Sequence, residues 1–397
     1  MNVSEAVDIL RGAVKKITEV EEISLWDACG RILAEDIYVS YDQPPFDKSP
    51  LDGYAVRGAD LAGASKETPV SLTVLEEVDA GDVPEKEVLP GTATRIMTGA
   101  MMPAGADCVI RQEDTDYGEV QAMFYDTVSA GKNVCFRGED MRKGELLLGK
   151  GSLLTATNIG ILSGDGHAQV KVLRKPVLAV LTTGSEVQLP GEPLKPGKVY
   201  DVNLHTLCAG LAGFGAEVLR LGLVEDAPEK AAELLRAATE KADVIITTGG
   251  VSVGKKDIMH DVFRLMEVER LFWKIRMKPG SPVLAGMYQG KLILCLSGNP
   301  YGVFAGMHLF VREILAALTG DESIAMSVLQ AELTVGFAKG SKVPRYVRGI
   351  YQNGSVRPST GLHTSGGMGA NRESNCLIEM AGQGPTEAGT MVKVLLF

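Results

Sequence analysis

The sequence predicts a multidomain α/β plus β protein. A central doubly wound parallel sheet is preceded by a β-rich domain and followed by a small β-barrel or sandwich. Three observations carry this reading. Between residues 176 and 320, short apolar β-branched runs alternate with helical stretches, the pattern of strand–helix–strand units. Residues 70–78 and 92–98 have the two-residue alternation of half-buried strands. Beyond residue 323, short strand-like runs are separated by frequent glycines.

At the N-terminus, Asn2 stands three residues before Glu5 in a capping-box arrangement. Ala6, Ile9, Leu10, Ala13, Val14 and Ile17 follow at helical spacing, so an amphipathic helix is expected over 2–17. The passage Tyr41-Asp42-Gln43-Pro44-Pro45-Phe46-Asp47 is extended, because each residue before a proline is pushed out of the α region, and it marks a domain boundary. Asp52-Gly53 follows a serine and a proline; it fits a tight turn as well as it fits a functional carboxylate. Arg95 to Thr98 ends a strand and leads into a glycine and proline loop. Charge density rises at 137–145, where Asp140 reads as a surface-turn aspartate and the chain leaves the β-rich domain.

From Lys175 the texture changes. Pro176–Leu181 is a buried strand ending in Thr182-Thr183-Gly184-Ser185-Glu186, a helix begins after Asp201, and 216–224 is a second strand. Asp226-Ala227-Pro228-Glu229 predicts a helix start with Asp226 as N-cap, Pro228 just inside and Glu229 at the third position, which keeps Asp226 out of the chemistry. The organising stretch begins at Ala242-Asp243; its apolar, β-branched strand stops at Thr247-Thr248-Gly249-Gly250, turns through Ser252 and Gly254 and enters a helix at Asp257. In an open parallel sheet, ligands bind beyond the carboxyl ends of strands. Glycines there let an oxyanion approach backbone N–H groups, and Thr248, Ser252 and Asp257 supply directional polar contacts. The same glycines also fit a plain strand-to-helix turn. Residues 271–282 bring Lys274, Arg276 and Lys278 to a strand end, and Leu292–Leu296 runs into Ser297-Gly298-Asn299-Pro300, opening a long helix to about Leu318. The loop 359–371 is polar and glycine-rich; it suits a ligand contact or a mobile surface segment.

Composition sets the function classes aside. With 397 residues, two to four domains are expected; with 45% hydrophobic and 23% charged residues the chain reads as soluble, with no apolar run of the roughly 18 residues a membrane span needs. The N-terminus lacks the features of a signal peptide, so no export is expected. Six dispersed cysteines without a Cys-x-x-Cys pair read as free thiols of a reducing cytoplasm, and five scattered histidines form no metal-binding pair. A net charge of −10 without a basic run disfavours nucleic acid. Carboxylates and lysines gathered at one sheet edge suit a phosphorylated substrate with a divalent cation, although lysines flanking a strand are also commonly solvated.

Asp47-Lys-Ser-Pro-Leu-Asp52-Gly-Tyr-Ala, Arg95-Ile-Met-Thr98-Gly-Ala, Gly138-Glu-Asp140, Thr183-Gly-Ser-Glu186, Thr248-Gly-Gly-Val-Ser252-Val-Gly-Lys-Lys-Asp257, Lys278-Pro279-Gly and Ser297-Gly-Asn-Pro300 together resemble the molybdopterin molybdenumtransferases, the MoeA proteins and the E domain of gephyrin, over essentially the whole chain. The resemblance implies four domains: an elongated one from 1–40 and 140–173, an inserted β-rich domain at 41–139, a molybdopterin-binding α/β domain at 174–322 and a C-terminal β-barrel at 323–397. It implies a homodimer whose cleft is shared, Asp52, Thr98 and Asp140 of one subunit facing Glu186 and Asp257 of the other. The implied reaction inserts molybdate into adenylylated molybdopterin with loss of AMP, assisted by Mg2+, a molybdopterin adenylyltransferase supplying the substrate. By the same resemblance, Glu186 and Asp257 bind the metal and the phosphate-bearing substrate, and Lys274 and Lys278 offset its charge. Ser252, Lys278, Arg348 and Ser365 cradle the oxyanion, while Asp52 and Asp140 orient pterin or water. Thr98, Thr248, Gly249, Gly250, Pro279 and Pro300 complete the substrate site. Leu51, Pro50, Ser297 and Val202 depart from the family's usual Met, Ala, Pro and Asp-x-Asn centre, and Arg345 stands close enough to Arg348 to take its role. Alternatives are a non-catalytic dimeric scaffold of gephyrin type and a tungstate-specific insertase; retained charges in a cleft, costly when unpaired, favour catalysis.

Overall fold

Strand Val244–Thr248 is the third of a six-stranded sheet, because a run of buried β-branched residues has to be covered on both faces. The computed structural model describes residues 1–251 and 257–397. The sheet runs in the order Glu217–Val224, Val177–Thr183, Val244–Thr248, Lys291–Leu296, Leu284–Tyr288, Glu269–Trp273. The first four strands are parallel; Leu284–Tyr288 is antiparallel to its neighbours on both sides. The expectation of a purely parallel sheet is therefore corrected to a mixed one. Strand Leu284–Tyr288 went unread because Ala285 and Gly286 give it little β-branched character. A Cβ on Gly286 would come within 2.6 Å of Val268 and 2.7 Å of Phe263, so packing dictates that glycine.

Alternate side chains of each strand feed two cores. Leu178, Val180, Val244, Ile246, Leu292 and Leu294 pack with helix Asn203–Gly213 and with the helix that starts at Pro300. Ala179, Leu181, Ile245 and Ile293 pack on the other face with Ala231, Leu235, Val262 and Phe263 from helices Pro228–Thr239 and Met259–Leu265. The helix from Pro300 to Thr319 carries a π-helical turn at Met307–Val311. It is long and apolar enough to cross a membrane by length and composition, contrary to the sequence expectation, and 83% of its most apolar window is buried in the protein.

The N-terminal helix is Val3–Ala13, with the Asn2–Glu5 capping box formed in both directions at 2.9 and 2.8 Å. It ends four residues earlier than expected; Val14 is extended, and Ile17 reaches the first core from beyond the helix. The C-terminal segment is a closed five-stranded barrel in the order Ser327–Leu333, Ser355–Pro358, Arg345–Gln352, Cys376–Met380, Met391–Leu396, which selects the barrel over the sandwich.

The chain separates into two compact units. One comprises Met1–Ala34, Leu153–Thr155 and Gln169–Phe397; the other comprises Glu35–Ser152 with Ala156–Ala168. The second holds a five-stranded sheet in the order Cys108–Arg111, Gly53–Val56, Thr92–Ile96, Val70–Val78, Gln121–Phe124, as expected of a β-rich region. Its core gathers Tyr54, Leu72, Ala93, Ile110 and Phe124, with Tyr54 and Phe124 edge-to-face at 5.3 Å.

Candidate active site

In the larger unit, the chain leaves strand Val177–Thr183 for a neighbour on one side and then returns for Val244–Thr248 on the other. The strand order reverses there, and the carboxyl ends at such a point frame a crevice. Three parallel strand ends carry Thr183-Gly184-Ser185-Glu186, Thr248-Gly249-Gly250 and Ser297-Gly298-Asn299-Pro300. Strand Glu269–Trp273 runs in the same direction and delivers Lys274 to the same edge.

Thr248 is buried and its hydroxyl is committed to the protein. It donates to the Ser297 carbonyl at 3.0 Å and accepts from Asn203 Nδ2 at 3.1 Å. The same amide donates to the Gly298 carbonyl at 2.8 Å, tying two strand ends to the start of helix Asn203–Gly213. Gly249 and Gly250 have φ of +94° and +61°, and a Cβ on Gly249 would lie 2.2 Å from the Thr183 carbonyl oxygen. The crossing of two strand ends thus supplies a steric reason for Gly249, and the plain-turn reading accounts for it without a ligand. Asp201 Oδ2, Asn203 Oδ1 and the hydroxyls of Thr182, Thr183 and Thr247 are buried without a hydrogen-bond partner among the described residues.

Glu186 is exposed, with its carboxylate folded against Gly184; a Cβ there would come within 3.0 Å of Oε2. The loop is held from both ends. Asp226 accepts from the Ser185 hydroxyl at 2.7 Å and from its N–H at 3.2 Å, and Lys198 donates to the Ser185 carbonyl. This corrects the reading of Asp226 as a helix cap. Helix Pro228–Thr239 has Ala227 as its N-cap with no side-chain cap, and Pro228 is its first residue. Asp226 fixes the Glu186 loop instead.

Asp257 is half-buried and precedes helix Met259–Leu265, which starts two residues later than expected with Ile258 as N-cap. Ser252 lies outside the described residues. Lys274 is exposed and holds φ at +66°, with Nζ 4.2 Å from the centre of the Trp273 ring. Lys278 is also exposed; its backbone is zipped to the barrel, the N–H donating to Pro344 at 2.9 Å and the carbonyl accepting from Tyr346 at 2.7 Å. Pro279 follows it, half-buried, and Pro300 is the first residue of its helix, where a missing N–H costs nothing.

Arg348 is fully buried in the barrel wall. Its guanidinium lies 3.7 Å from the centre of the Tyr301 ring and donates to the carbonyls of Gly367 and Leu362 and to Asn371 Oδ1. Those bonds turn it toward the 359–371 loop, and its Nε is buried without a partner among the described residues, as is that of Arg345. Ser365, on the same loop, is exposed, and its carbonyl accepts from the Tyr301 N–H at 3.0 Å.

In the smaller unit, Asp52 and Thr98 come together from opposite strand ends. One carboxylate oxygen accepts from the Thr98 hydroxyl at 2.6 Å and from its N–H at 2.7 Å. The hydroxyl bond first, then the N–H and the Arg95 charge, hold Asp52 below the usual carboxylate range. Asp140 is exposed on a turn whose N–H donates to the Gln43 carbonyl at 3.0 Å.

The structure thus collects Glu186, Thr248, Gly249, Gly250, Asp257 and Lys274 at one sheet edge of the larger unit, and joins Asp52 to Thr98 in the smaller. Sequence reasoning missed Asn203 as a tie between strand ends, Asp226 as the anchor of the Glu186 loop, and Trp273. The Asp-x-Asn passage at 201–203 is the one local signal for any of them.

Residues 1–166 match the MoeA N-terminal region (domain I and II), residues 179–317 a probable molybdopterin binding domain, and residues 330–397 the MoeA C-terminal region (domain IV). The chain is 37% identical over 390 residues to a molybdopterin molybdenumtransferase of Bacillus subtilis, covering 96% of this chain and 91% of that one. It is 34% identical over 402 residues to one of Staphylococcus epidermidis, covering 100% and 95%. Among solved structures, a molybdopterin biosynthesis MoeA protein of Pyrococcus horikoshii superposes with a TM-score of 0.85 at 31% identity, covering 100% of this chain and 98% of the other.

Proposed function

The chain belongs to the molybdopterin molybdenumtransferase family, transferases of molybdenum cofactor biosynthesis, and on that premise we propose that it inserts molybdate into adenylylated molybdopterin with release of AMP, assisted by Mg2+. The observation that carries the proposal is the strand-order reversal in the larger unit, where Glu186, Asp257 and Lys274 stand at the carboxyl edge of a sheet of the kind that binds phosphorylated ligands.

Mg2+ takes oxygen ligands, retains waters and is commonly held by one or two carboxylates together with substrate phosphates. Glu186 and Asp257 fit that donor set. Among the described residues no cluster of three or more His, Cys, Asp or Glu offers a closed cage instead. When bound, the ion would neutralise charge on the phosphates joining pterin and AMP. Lys274 and Lys278 would offset the remaining substrate charge, and Lys278, Ser252 and Ser365 would hold the oxyanion by charge-assisted and hydroxyl hydrogen bonds. Arg348 would act by fixing the loop that carries Ser365, and Asp52 and Asp140 would orient pterin or water. Thr248, Gly249 and Gly250 would shape the floor, with Pro279 and Pro300 at its rim. The reading carries with it the four-domain division at 1–40 with 140–173, 41–139, 174–322 and 323–397, a homodimer, and an adenylyltransferase upstream.

AMP release from adenylylated molybdopterin, followed with and without molybdate and Mg2+, tests the activity. Molybdate-stimulated, Mg2+-dependent release is expected, and Asp257→Ala is expected to abolish it while leaving the oligomer intact. Absence of release from a folded protein that still binds the pterin would return the scaffold reading. Undiminished release by Asp257→Ala would remove that residue from the metal site.

A further inference from the structure

We propose that Trp273 is the positioning residue of this site, setting both the Lys274 ammonium and the turn after strand Val244–Thr248; the inference rests on the insertase reading of the edge. Trp273 is the last residue of strand Glu269–Trp273 and is only half-buried, in contact with the second core of the sheet. Three independent contacts converge on its indole. Nε1–H donates to the Val251 carbonyl at 3.3 Å, one residue beyond the Gly249-Gly250 turn. Lys274 Nζ stands 4.2 Å from the ring centre. His260, in the first turn of helix Met259–Leu265, meets the ring edge-to-face at 4.6 Å and 84°.

These contacts tie the turn after Thr248 and the helix behind Asp257 to the end of strand Glu269–Trp273 and to Lys274; the turn and the helix are also joined directly, the Met259 N–H donating to the Gly250 carbonyl at 2.9 Å. A lysine side chain has four rotatable bonds and an exposed ammonium is ordinarily spread over many rotamers. Over an indole face it has a preferred place, and the φ of +66° at Lys274 aims the side chain back across its own neighbour rather than along the strand. A non-glycine residue in the left-handed region is held there by its surroundings; Lys274 N–H donates to the Val283 carbonyl at 2.9 Å, closing the bend. The cation is thereby stationed over the face of the indole whose N–H holds the Val251 carbonyl, on the side of the edge where a phosphate would meet the turn. An approaching phosphate competes with the ring for the ammonium, so the indole senses occupancy of the site.

The chain contains two tryptophans, and the other, Trp26, is 95% exposed. Trp26→Phe therefore leaves Trp273 as the sole indole reporter with basal turnover unchanged. AMP titrated into this protein with Mg2+ is expected to change Trp273 emission saturably, and Lys274→Met is expected to remove the change. In turnover, Trp273→Phe keeps an aromatic face but loses the N–H, and is expected to raise KM about fivefold with a smaller effect on kcat. Trp273→Leu loses both contacts and is expected to exceed it. In the Lys274→Met background, Trp273→Leu should add less than it does alone, because the two act as one unit. A merely structural tryptophan would lower the folded fraction and kcat without shifting KM, and its effect would add fully to that of Lys274→Met; either result overturns the inference. So does an AMP response that survives Lys274→Met. If the parent protein releases no AMP with molybdate, the insertase reading fails by itself, while a saturable, Lys274-dependent emission change would still uphold the coupling of Trp273 to Lys274.

Discussion

His308 should make the fold acid-sensitive in a range where most carboxylates are already ionised. It lies in the π-helical turn of the long helix, 6% exposed, stacked on Phe397 at 3.9 Å and edge-on to Phe304 at 4.7 Å and Phe214 at 6.2 Å. Nδ1 is buried without a partner among the described residues, so nothing there stabilises a proton on that atom. Burial first, and the Arg312 charge second, push its pKa down from 6.5 to about 3. The sign follows directly. Above pH 6.5 the imidazole is neutral in both states and stability is unaffected. Below it the unfolded chain takes up a proton that the folded protein refuses, so stability falls as pH is lowered toward 3. At pH 5 the loss from this one group is about 2 kcal/mol, from 1.36 kcal/mol per unit of pKa difference traversed. Urea unfolding of the parent and of His308→Phe at pH 7.5 and pH 5.0 isolates it, since every other titrating group cancels between the two proteins. The parent should lose about 2 kcal/mol more than the variant across that interval. A difference that stays constant between the two pH values would refute the argument.

Other expectations follow from single contacts. Asn203→Ala removes two amide hydrogen bonds and should cost about 1–2 kcal/mol in urea unfolding, whereas Asn203→Asp places a carboxylate against the Gly298 carbonyl and should cost more at pH 7.5 than at pH 4.5. Asp243 accepts from both terminal nitrogens of Arg174 at 2.7 and 2.9 Å and from Val177 N–H at 2.9 Å. Burial, the largest influence, raises its pKa, but these bonds and the charges of Arg174 and Lys291 more than offset it, leaving the carboxyl below its ordinary value. Its contribution is thus full above the ordinary carboxylate pKa and lost as pH falls through the lowered one; Asp243→Asn should cost about 2–4 kcal/mol at pH 7 and progressively less in acid. Arg348→Met should free the 359–371 loop, detected as faster amide exchange at 362–371, with little change in the sheet of the larger unit.

How much of this was legible in the sequence depended on whether the deciding contact was local. The Asn2–Glu5 box spans four residues and was readable as it stands, and Val244–Ile246 could be taken for a buried strand because its β-branched run needs no partner to be recognised. Strand Leu284–Tyr288 was not readable, since its glycine answers to Val268 and Phe263 rather than to any propensity of its own. Asp226 shows the opposite failure. Its local pattern matched a helix cap closely, yet Ser185, 41 residues away in sequence, offered two donors, and the helix starts at Pro228 without a side-chain cap. A one-dimensional template has no means of weighing that competition.

Arg348 carries the same lesson into chemistry. As a residue type in a resembling chain it stood for an oxyanion ligand, because a guanidinium has donors to spare. In the fold it is fully buried, and three of its N–H bonds go to the loop at 362–371 that carries Ser365, so much of its donor capacity is spent on the protein itself. Asp52 and Thr98, 46 residues apart, make the converse case. Spacing left Asp52 fitting a turn as well as a functional carboxylate, while in the fold the hydroxyl and N–H of Thr98 hold its carboxylate in one orientation and below the usual carboxylate range. A candidate site residue is therefore defined by what satisfies its polar atoms. At this sheet edge, the exposed heads of Glu186 and Lys274 are the ones whose substitution should move ligand binding before it moves stability.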